Sequence, residues 1–129
     1  MAIPIEQWVW QGHAGHFIAA SDCLFHMATA VGDFLISTVG DYHPSYKRSR
    51  NGLGERELIG GLSDHDFYET YVFRLTGKPM WCGCAEVESW GEIEGRRYAT
   101  APEATAGHMA MCHKYADVTP IMRHDSRLN

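Results

Sequence analysis

The chain has 129 residues, of which 45% are hydrophobic and 21% charged, the composition of a globular domain large enough to bury its own core. A net charge of −5 argues against a general nucleic-acid binder, because such proteins present a basic surface. No segment approaches the ~20 apolar residues of a membrane helix, and the first residues lack the pattern of a signal peptide. We therefore expect a single cytoplasmic domain over residues 1–129, with its four cysteines reduced or bound to metal.

The first segment carries two tryptophans, Trp8 and Trp10, which are two positions apart. In an extended strand both rings lie on one face. Two interpretations follow: the strand packs this face on the core, or the aromatic face is a contact surface for a partner protein. Residues 17–20, all apolar, then indicate a short buried strand.

Residues 25–39 have a period of two on both sides of a Gly32-Asp33 pair: one set of alternate positions is mainly apolar, and the other has smaller or more polar side chains. A period of two indicates strands, and a Gly-Asp pair between two such runs is typical of a two-residue hairpin turn. A helix capped by Asp22 and ended by Gly32 is the competing interpretation. The hairpin predicts one face with the pairs Val31–Phe34, Thr29–Ile36 and Met27–Thr38, and a second face with Ala30–Leu35, Ala28–Ser37 and His26–Val39.

A long connection follows the hairpin, and we expect residues 43–66 to be mobile because glycines and charges interrupt any apolar pattern. Residues 67–75 predict an interior strand, since both of its faces are partly apolar, and the turn at residues 77–79 should end it. The acidic segment that comes next indicates either a weak strand or an irregular hairpin, in which residues 86–90 would pair with residues 92–98.

The last element is a helix over residues 102–116, with Thr100 as its cap and Pro102 in its first turn. Helical spacing places Ala104, His108, Met111, Cys112 and Tyr115 on one face, which should point toward the core. Residues 118–129 are expected to fray. Together the elements predict an α+β domain, in which an antiparallel sheet of about five strands carries the C-terminal helix packed on one face.

Four side chains suggest a structural zinc site. Cys82 and Cys84 on a turn could meet His108 and Cys112 on the inner face of the helix, and tetrahedral zinc takes Cys and His ligands. The Cys-x-Cys spacing is tighter than the usual two to four intervening residues. The alternative is that Cys112 is a small buried hydrophobe.

His16, Cys23 and His26 form a second group, because Cys23-x2-His26 has a ligand-like spacing. They could bind a metal, or a neighbouring imidazole could activate Cys23 as a nucleophile, with Asp22 or Asp41 orienting the histidine. A packed structural role for Cys23 is the third interpretation. The chain has no GxxxxGK[ST], GxGxxG, GxSxG or HExxH motif, so the common nucleotide-binding and hydrolase classes have no support.

Several segments in order resemble small proteins encoded by tailed bacteriophages and prophages. The segments are GHFI at 15–18, the Cys-x2-His at 23–26, LISTVGDY at 35–42, YETYVF at 68–73 and HMAMCHKYA at 108–116. The resemblance spans most of the chain but brings no activity that could be assigned residue by residue. It implies expression inside a bacterial host cell and a role in host takeover or evasion of host defence, for example as an inhibitor of a CRISPR surveillance complex.

An inhibitor of that kind would act without catalysis by covering a basic surface of its target. The acidic run, which could steer and then block a cationic groove, consists of Glu86, Glu88, Glu92 and Glu94 with Trp90 among them. A solvated acidic turn is the alternative. Our leading hypothesis is therefore a protein that binds and inhibits a bacterial host or defence protein. An enzyme with a Cys/His or zinc-centred site and a virion accessory protein are the other two hypotheses.

Overall fold

A computed structural model describes residues 2–12, 22–44, 66–80, 83–89 and 91–118, together with Gly52, Arg56 and Leu58. A 3-10 turn, Ile5–Gln7, precedes strands β1 (Val9–Gln11), β2 (Cys23–Val31), β3 (Phe34–Tyr42), β4 (Tyr68–Pro79), β5 (Ala85–Val87) and β6 (Glu94–Tyr98), and helix α1 (Ala101–Ala116) follows. The predicted α+β fold is confirmed, with six strands rather than about five. No helix in the described ranges combines the length and the hydropathy needed to cross a membrane.

The β2–β3 hairpin has the predicted register. Val31 lies opposite Phe34 across the Gly32-Asp33 turn, and the other expected pairs on both faces follow without a shift. The backbone φ of Gly32 is +58°, which suits glycine in a two-residue hairpin turn. The helical alternative for this segment is therefore wrong. Residues 17–20, the other strand predicted near it, lie outside the described residues.

Strand β4 is longer than predicted and pairs with two partners on the same side. The chain stays extended through residues 77–79, so the turn predicted there is wrong, and the hairpin closes later, where the Met80 amide donates to the Cys84 carbonyl. The first half of β4 pairs with β6 and its second half pairs with β5. The predicted hairpin between residues 86–90 and 92–98 is wrong for this reason, because each short strand pairs with β4 instead of with its neighbour.

Helix α1 begins at a capping box. The Glu103 amide donates to the Thr100 hydroxyl, which in turn donates to the Glu103 carboxylate at 2.9 Å. The predicted inner face is confirmed, because all five of its residues are buried. Gly107 lets the helix approach β6 closely, since a side chain at this position would overlap the ring of Tyr98.

The sheet has two apolar faces. One packs against α1, and its buried residues are Trp8, Val31, Phe34, Ile36, Val72, Met111, Cys112, Tyr115 and Ala116. The opposite face carries a smaller cluster of Ala28, Leu35, Phe73 and Leu75, against which β5 packs with Ala85 and Val87. Most of residues 43–66 and 118–129 lie outside the described residues, so their predicted mobility stays a prediction.

Candidate functional site

The structure does not bring Cys23 and His26 together. Both belong to β2, and because side chains alternate along a strand, residues three apart point to opposite faces. Cys23 is 6% exposed, whereas His26 is exposed. His16 lies outside the described residues, so a pairing of Cys23 with His16 stays a prediction.

The environment of Cys23 disfavours a thiolate. Burial raises the pKa of its thiol to about 12, and the nearby carboxylates of Asp22 and Asp41 act in the same direction. A hydrogen bond with the backbone of Gly40 offsets only part of this effect. A nucleophilic cysteine needs the opposite shift, so the described surroundings fit the packed structural role.

Asp41 is one of the two carboxylates expected to orient a catalytic histidine. It lies beside His43, which is not one of the predicted site histidines. Its Oδ1 is 2.9 Å from Nε2 of His43, and its backbone φ of +54° is unusual for a residue other than glycine.

The three predicted zinc ligands that the structure describes do not form a metal-binding group. No group of three or more metal-capable side chains occurs among the described residues, which include Cys84, His108 and Cys112. Cys84 lies half-buried just before β5, whereas His108 and Cys112 are fully buried on the inner face of α1. Cys82 lies outside the described residues. Cys84, His108 and Cys112 therefore do not by themselves make the predicted zinc site.

His108 instead belongs to a neutral hydrogen-bond network inside the core. Its Nε2 lies 2.8 Å from the Thr29 hydroxyl and its Nδ1 lies 2.7 Å from the Thr38 hydroxyl, which is itself 2.6 Å from Thr70 Oγ1. Both ring nitrogens therefore have hydroxyl partners, and neither is available to a metal in this arrangement. Burial lowers the pKa of His108 to about 4, so the ring is neutral at pH 7.

Cys112 lies next to the same network. Burial raises the pKa of its thiol to about 11, and a hydrogen bond with Thr29 lowers the pKa by a smaller amount. The alternative interpretation of Cys112 as a small buried side chain therefore fits its surroundings.

The acidic run is divided between different roles. Glu94 lies 2.7 Å from Lys114 Nζ and accepts a hydrogen bond from the Tyr115 hydroxyl, and these contacts hold its pKa below the ordinary value. Glu86 is half-buried in β5, and only Glu88 and Glu92 are exposed. Trp90 lies outside the described residues. Glu94 therefore contributes to the fold, and the use of the four glutamates as one partner surface stays a prediction.

A charge pair with a buried carboxylate, Glu69–Arg97, was not anticipated. Glu69 on β4 is 4% exposed, and its Oε2 accepts a hydrogen bond from Nε of Arg97 on β6 at 3.0 Å. The two residues lie directly opposite each other, and the pair keeps the pKa of Arg97 above its ordinary value. The signal was present in the sequence, because Glu69 interrupts the otherwise apolar face that runs from Phe67 to Leu75.

Strand β1 leaves apolar surface exposed at one end of the sheet order. Trp8 is buried at 5% exposure, but Trp10 is 50% exposed and Val9 is 58% exposed. The inner side of the Trp10 ring packs against His108, with 5.8 Å between the ring centroids. Trp8 therefore packs on the core, as one interpretation predicted, whereas the ring of Trp10 is accessible, as a partner-contact surface requires.

A cavity of about 570 Å³ opens beside the same strand. Its described walls come from β1, β2, the end of β4 and the start of β5, and they include Val9, Ala30, Leu75, Lys78 and Pro79. The Gln11 side chain spans from β1 to β5, where its Oε1 accepts a hydrogen bond from the Ala85 amide at 2.6 Å.

Comparison with protein-family models, with curated proteins and with solved structures finds no match. The function of the chain is therefore inferred from the geometry of its described residues.

Proposed function

We propose that this chain is a non-enzymatic binding protein that captures a partner protein through strand β1. The observation that carries the proposal is the exposed apolar edge: Trp10 and Val9 are each at least half exposed in the terminal strand of the sheet order. Tryptophan is among the residues that contribute most to protein interfaces.

The described residues of this edge strand include no charged side chain, proline or bulge. Natural edge strands are protected by charged side chains, proline or bulges, because an unprotected edge pairs with other chains. The three residues of β1 are Val9, Trp10 and Gln11, none of which is charged. Its pairing with β2 is also regular over all three positions. An extended segment of a partner could therefore add to this edge and cover the Trp10 ring.

The bacteriophage resemblance suggests the class of partner. A protein made by a phage in the cytoplasm of a bacterial host would meet host and defence proteins, and a CRISPR surveillance complex is one such target. The net charge of −5 favours a partner with a basic surface. The exposed Glu88 and Glu92 could then assist association from the periphery, in place of the whole acidic run.

The enzyme hypothesis keeps His16, Cys23 and His26 as predicted residues, but the described surroundings of Cys23 and His26 add no support to it. A virion accessory protein would differ from an inhibitor in one measurable way, because it would co-sediment with purified phage particles.

The test compares two variants with matched exposure. Val9 and Leu24 are both 58% exposed, on β1 and on β2 respectively, so Val9→Glu and Leu24→Glu add the same charge to two different apolar positions. Partners captured from bacterial lysate by the wild-type chain would be identified, purified and titrated against both variants. We expect Val9→Glu to weaken binding about 30-fold, the effect of losing an interface hot spot, and Leu24→Glu to leave it unchanged.

Trp10→Ala is a second test of binding through β1 and should weaken binding to a similar degree. Circular dichroism of each variant must show the wild-type spectrum, because Trp10 also packs against His108. Equal binding by Val9→Glu and wild type, or an equal loss in Val9→Glu and Leu24→Glu, would refute the assignment to β1.

A further inference from the structure

The cavity beside β1 has the size and walls of a small-molecule site. Its volume of about 570 Å³ lies within the roughly 300–1,000 Å³ that is typical of ligand pockets. Val9, Ala30, Leu75 and Pro79 line it with aliphatic side chains from three strands. A ligand in this cavity would therefore remove apolar surface from water on several sides at once.

One wall of the cavity is held firmly by the core. Leu75 is 4% exposed and packs with Phe73 and Leu35 on the face of the sheet opposite α1. Its amide also donates to the Asp33 carbonyl at 2.9 Å, which ties this part of β4 to the β2–β3 turn. The opposite wall is tied through the Gln11–Ala85 hydrogen bond. The cavity is thus largely formed before any ligand arrives, which lowers the entropic cost of binding.

The charge on the walls specifies the ligand further. Lys78 lines the cavity and is exposed, and its ammonium group forms no ion pair with the residues that the structure describes. Its backbone position is fixed by the hydrogen bond from the Lys78 amide to the Thr76 hydroxyl. None of the described lining residues is acidic. A negative group on a ligand would therefore meet one cation and no described carboxylate.

We propose that this cavity binds a small apolar molecule that carries one negative charge, with its apolar body between Val9, Ala30 and Leu75 and its anionic group at Lys78. The site goes beyond the proposed function, because its ligand is a small molecule and neither Ala30 nor Lys78 belongs to the edge strand. Binding at this site can succeed or fail whether or not β1 captures a protein.

Two dyes of nearly the same shape test the proposal on the purified full-length chain. The anionic probe is 8-anilinonaphthalene-1-sulfonate, whose fluorescence rises on apolar surfaces, and the neutral control is N-phenyl-1-naphthylamine. We expect saturable binding of the anionic dye at one site per chain. Lys78→Met keeps an apolar stem of similar length and should weaken the anionic dye about threefold, the effect of an exposed ion pair, without changing the neutral dye.

Ala30→Leu separates the cavity from the rest of the surface. The added methylenes enter the cavity and should weaken both dyes at least about tenfold, as expected when a ligand pocket loses apolar volume. A wild-type circular dichroism spectrum confirms that this variant folds. If it does not fold, the half-buried Cys84 thiol in the cavity wall reports the site in the wild-type chain, because bound dye should slow its modification by N-ethylmaleimide, as located by mass spectrometry.

The proposal is overturned if the anionic dye shows no saturable binding, or if Lys78→Met weakens both dyes equally. It is also overturned if a folded Ala30→Leu binds like the wild type, or if Cys84 is modified at the same rate with and without dye. Selective loss of the anionic dye in Lys78→Met together with loss of both dyes in Ala30→Leu would establish the site and its preference for an anion.

Discussion

Strands β1 and β6 lie at two margins of the same sheet and are stabilised in opposite ways. In β6, Glu94 binds Lys114 and Tyr115 on the helix side, and Arg97 binds Glu69 on the other side. At β1 the anchoring contacts are neutral: the Gln11 side chain accepts a hydrogen bond from the Ala85 amide at 2.6 Å, and the Trp10 ring packs against His108.

The difference indicates which margin can accept another chain. A segment that added to β6 would have to bury or displace charged side chains, and this carries a large desolvation cost. A segment that added to β1 would cover Val9 and Trp10, and covering apolar surface is favourable. Charged side chains therefore protect β6, and the apolar side chains of β1 are what the proposed association would use. Because the two strands are stabilised by different contacts, we expect acid, substitutions and salt to change the free energy of unfolding through one strand or the other.

Acid should have the largest effect, and it should act on the network next to β1. The pKa of His108 falls from its ordinary 6.5 to about 4 in the folded chain, so the folded state binds fewer protons than the unfolded state. The stability due to neutral His108 is complete above pH 6.5 and is lost as the pH falls toward 4. We expect the free energy of unfolding to drop by about 3 kcal/mol across this window, as measured by urea denaturation.

His108→Gln is the control for this prediction, because it cannot titrate and should have a flatter profile between pH 6.5 and 4. The ion pairs of β6 act in a different window. The pKa of Glu94 is held below its ordinary 4.5, so its contribution is lost only as the pH falls below that value. Equal slopes for wild type and His108→Gln would contradict the role assigned to the buried ring.

The next effect comes from a pair of adjacent arginines on β6. Arg97→Ala would remove the positive charge that pairs with Glu69, whose side chain is 5% exposed, and we expect a loss of about 2 kcal/mol in the free energy of unfolding. Arg96 is the matched control, because its side chain is 64% exposed and lies 3.9 Å from Glu94. Arg96→Ala should cost less than about 0.5 kcal/mol. Similar losses in the two variants would show that the burial of Glu69 is not what matters.

The smallest effect should be that of the exposed ion pair between β6 and the helix. Lys114→Met keeps an apolar stem but loses the contact with Glu94, and we expect it to cost about 0.5 kcal/mol at low salt. The difference from wild type should vanish near 1 M salt, where screening acts over about 3 Å. Lys78→Met, which removes a lysine that has no ion pair among the described residues, should show no such salt dependence.

The hairpin could be predicted because its turn fixes its register. Once Gly32 and Asp33 occupy a two-residue turn, every pair on both strands follows, and the structure has those pairs. The partners of β5 and β6 could not be predicted in this way. Their sequences show two short extended segments but do not show that β4 is long enough to pair with both, which depends on the packing of the whole sheet.

The candidate sites were less predictable, for two physical reasons. The Cys23-x2-His26 spacing suits ligands on a helix or turn, but the strand that the same sequence predicts sends these side chains to opposite faces. The inner position of His108 could be derived from helical spacing. Its partners could not, because Thr29 and Thr38 lie 79 and 70 residues away along the chain.

The unequal connections on the two sides of β3 have a consequence for how fast the chain folds. Two residues join β2 to β3, so this hairpin closes at low entropic cost, in about 1–10 μs. The other side of β3 must wait for β4, which arrives from beyond the long connection after Tyr42. Because the entropy of closing a loop grows only slowly, doubling that connection would cost about 0.6 kcal/mol. We therefore expect the docking of β4 on the preformed hairpin to limit the rate of folding.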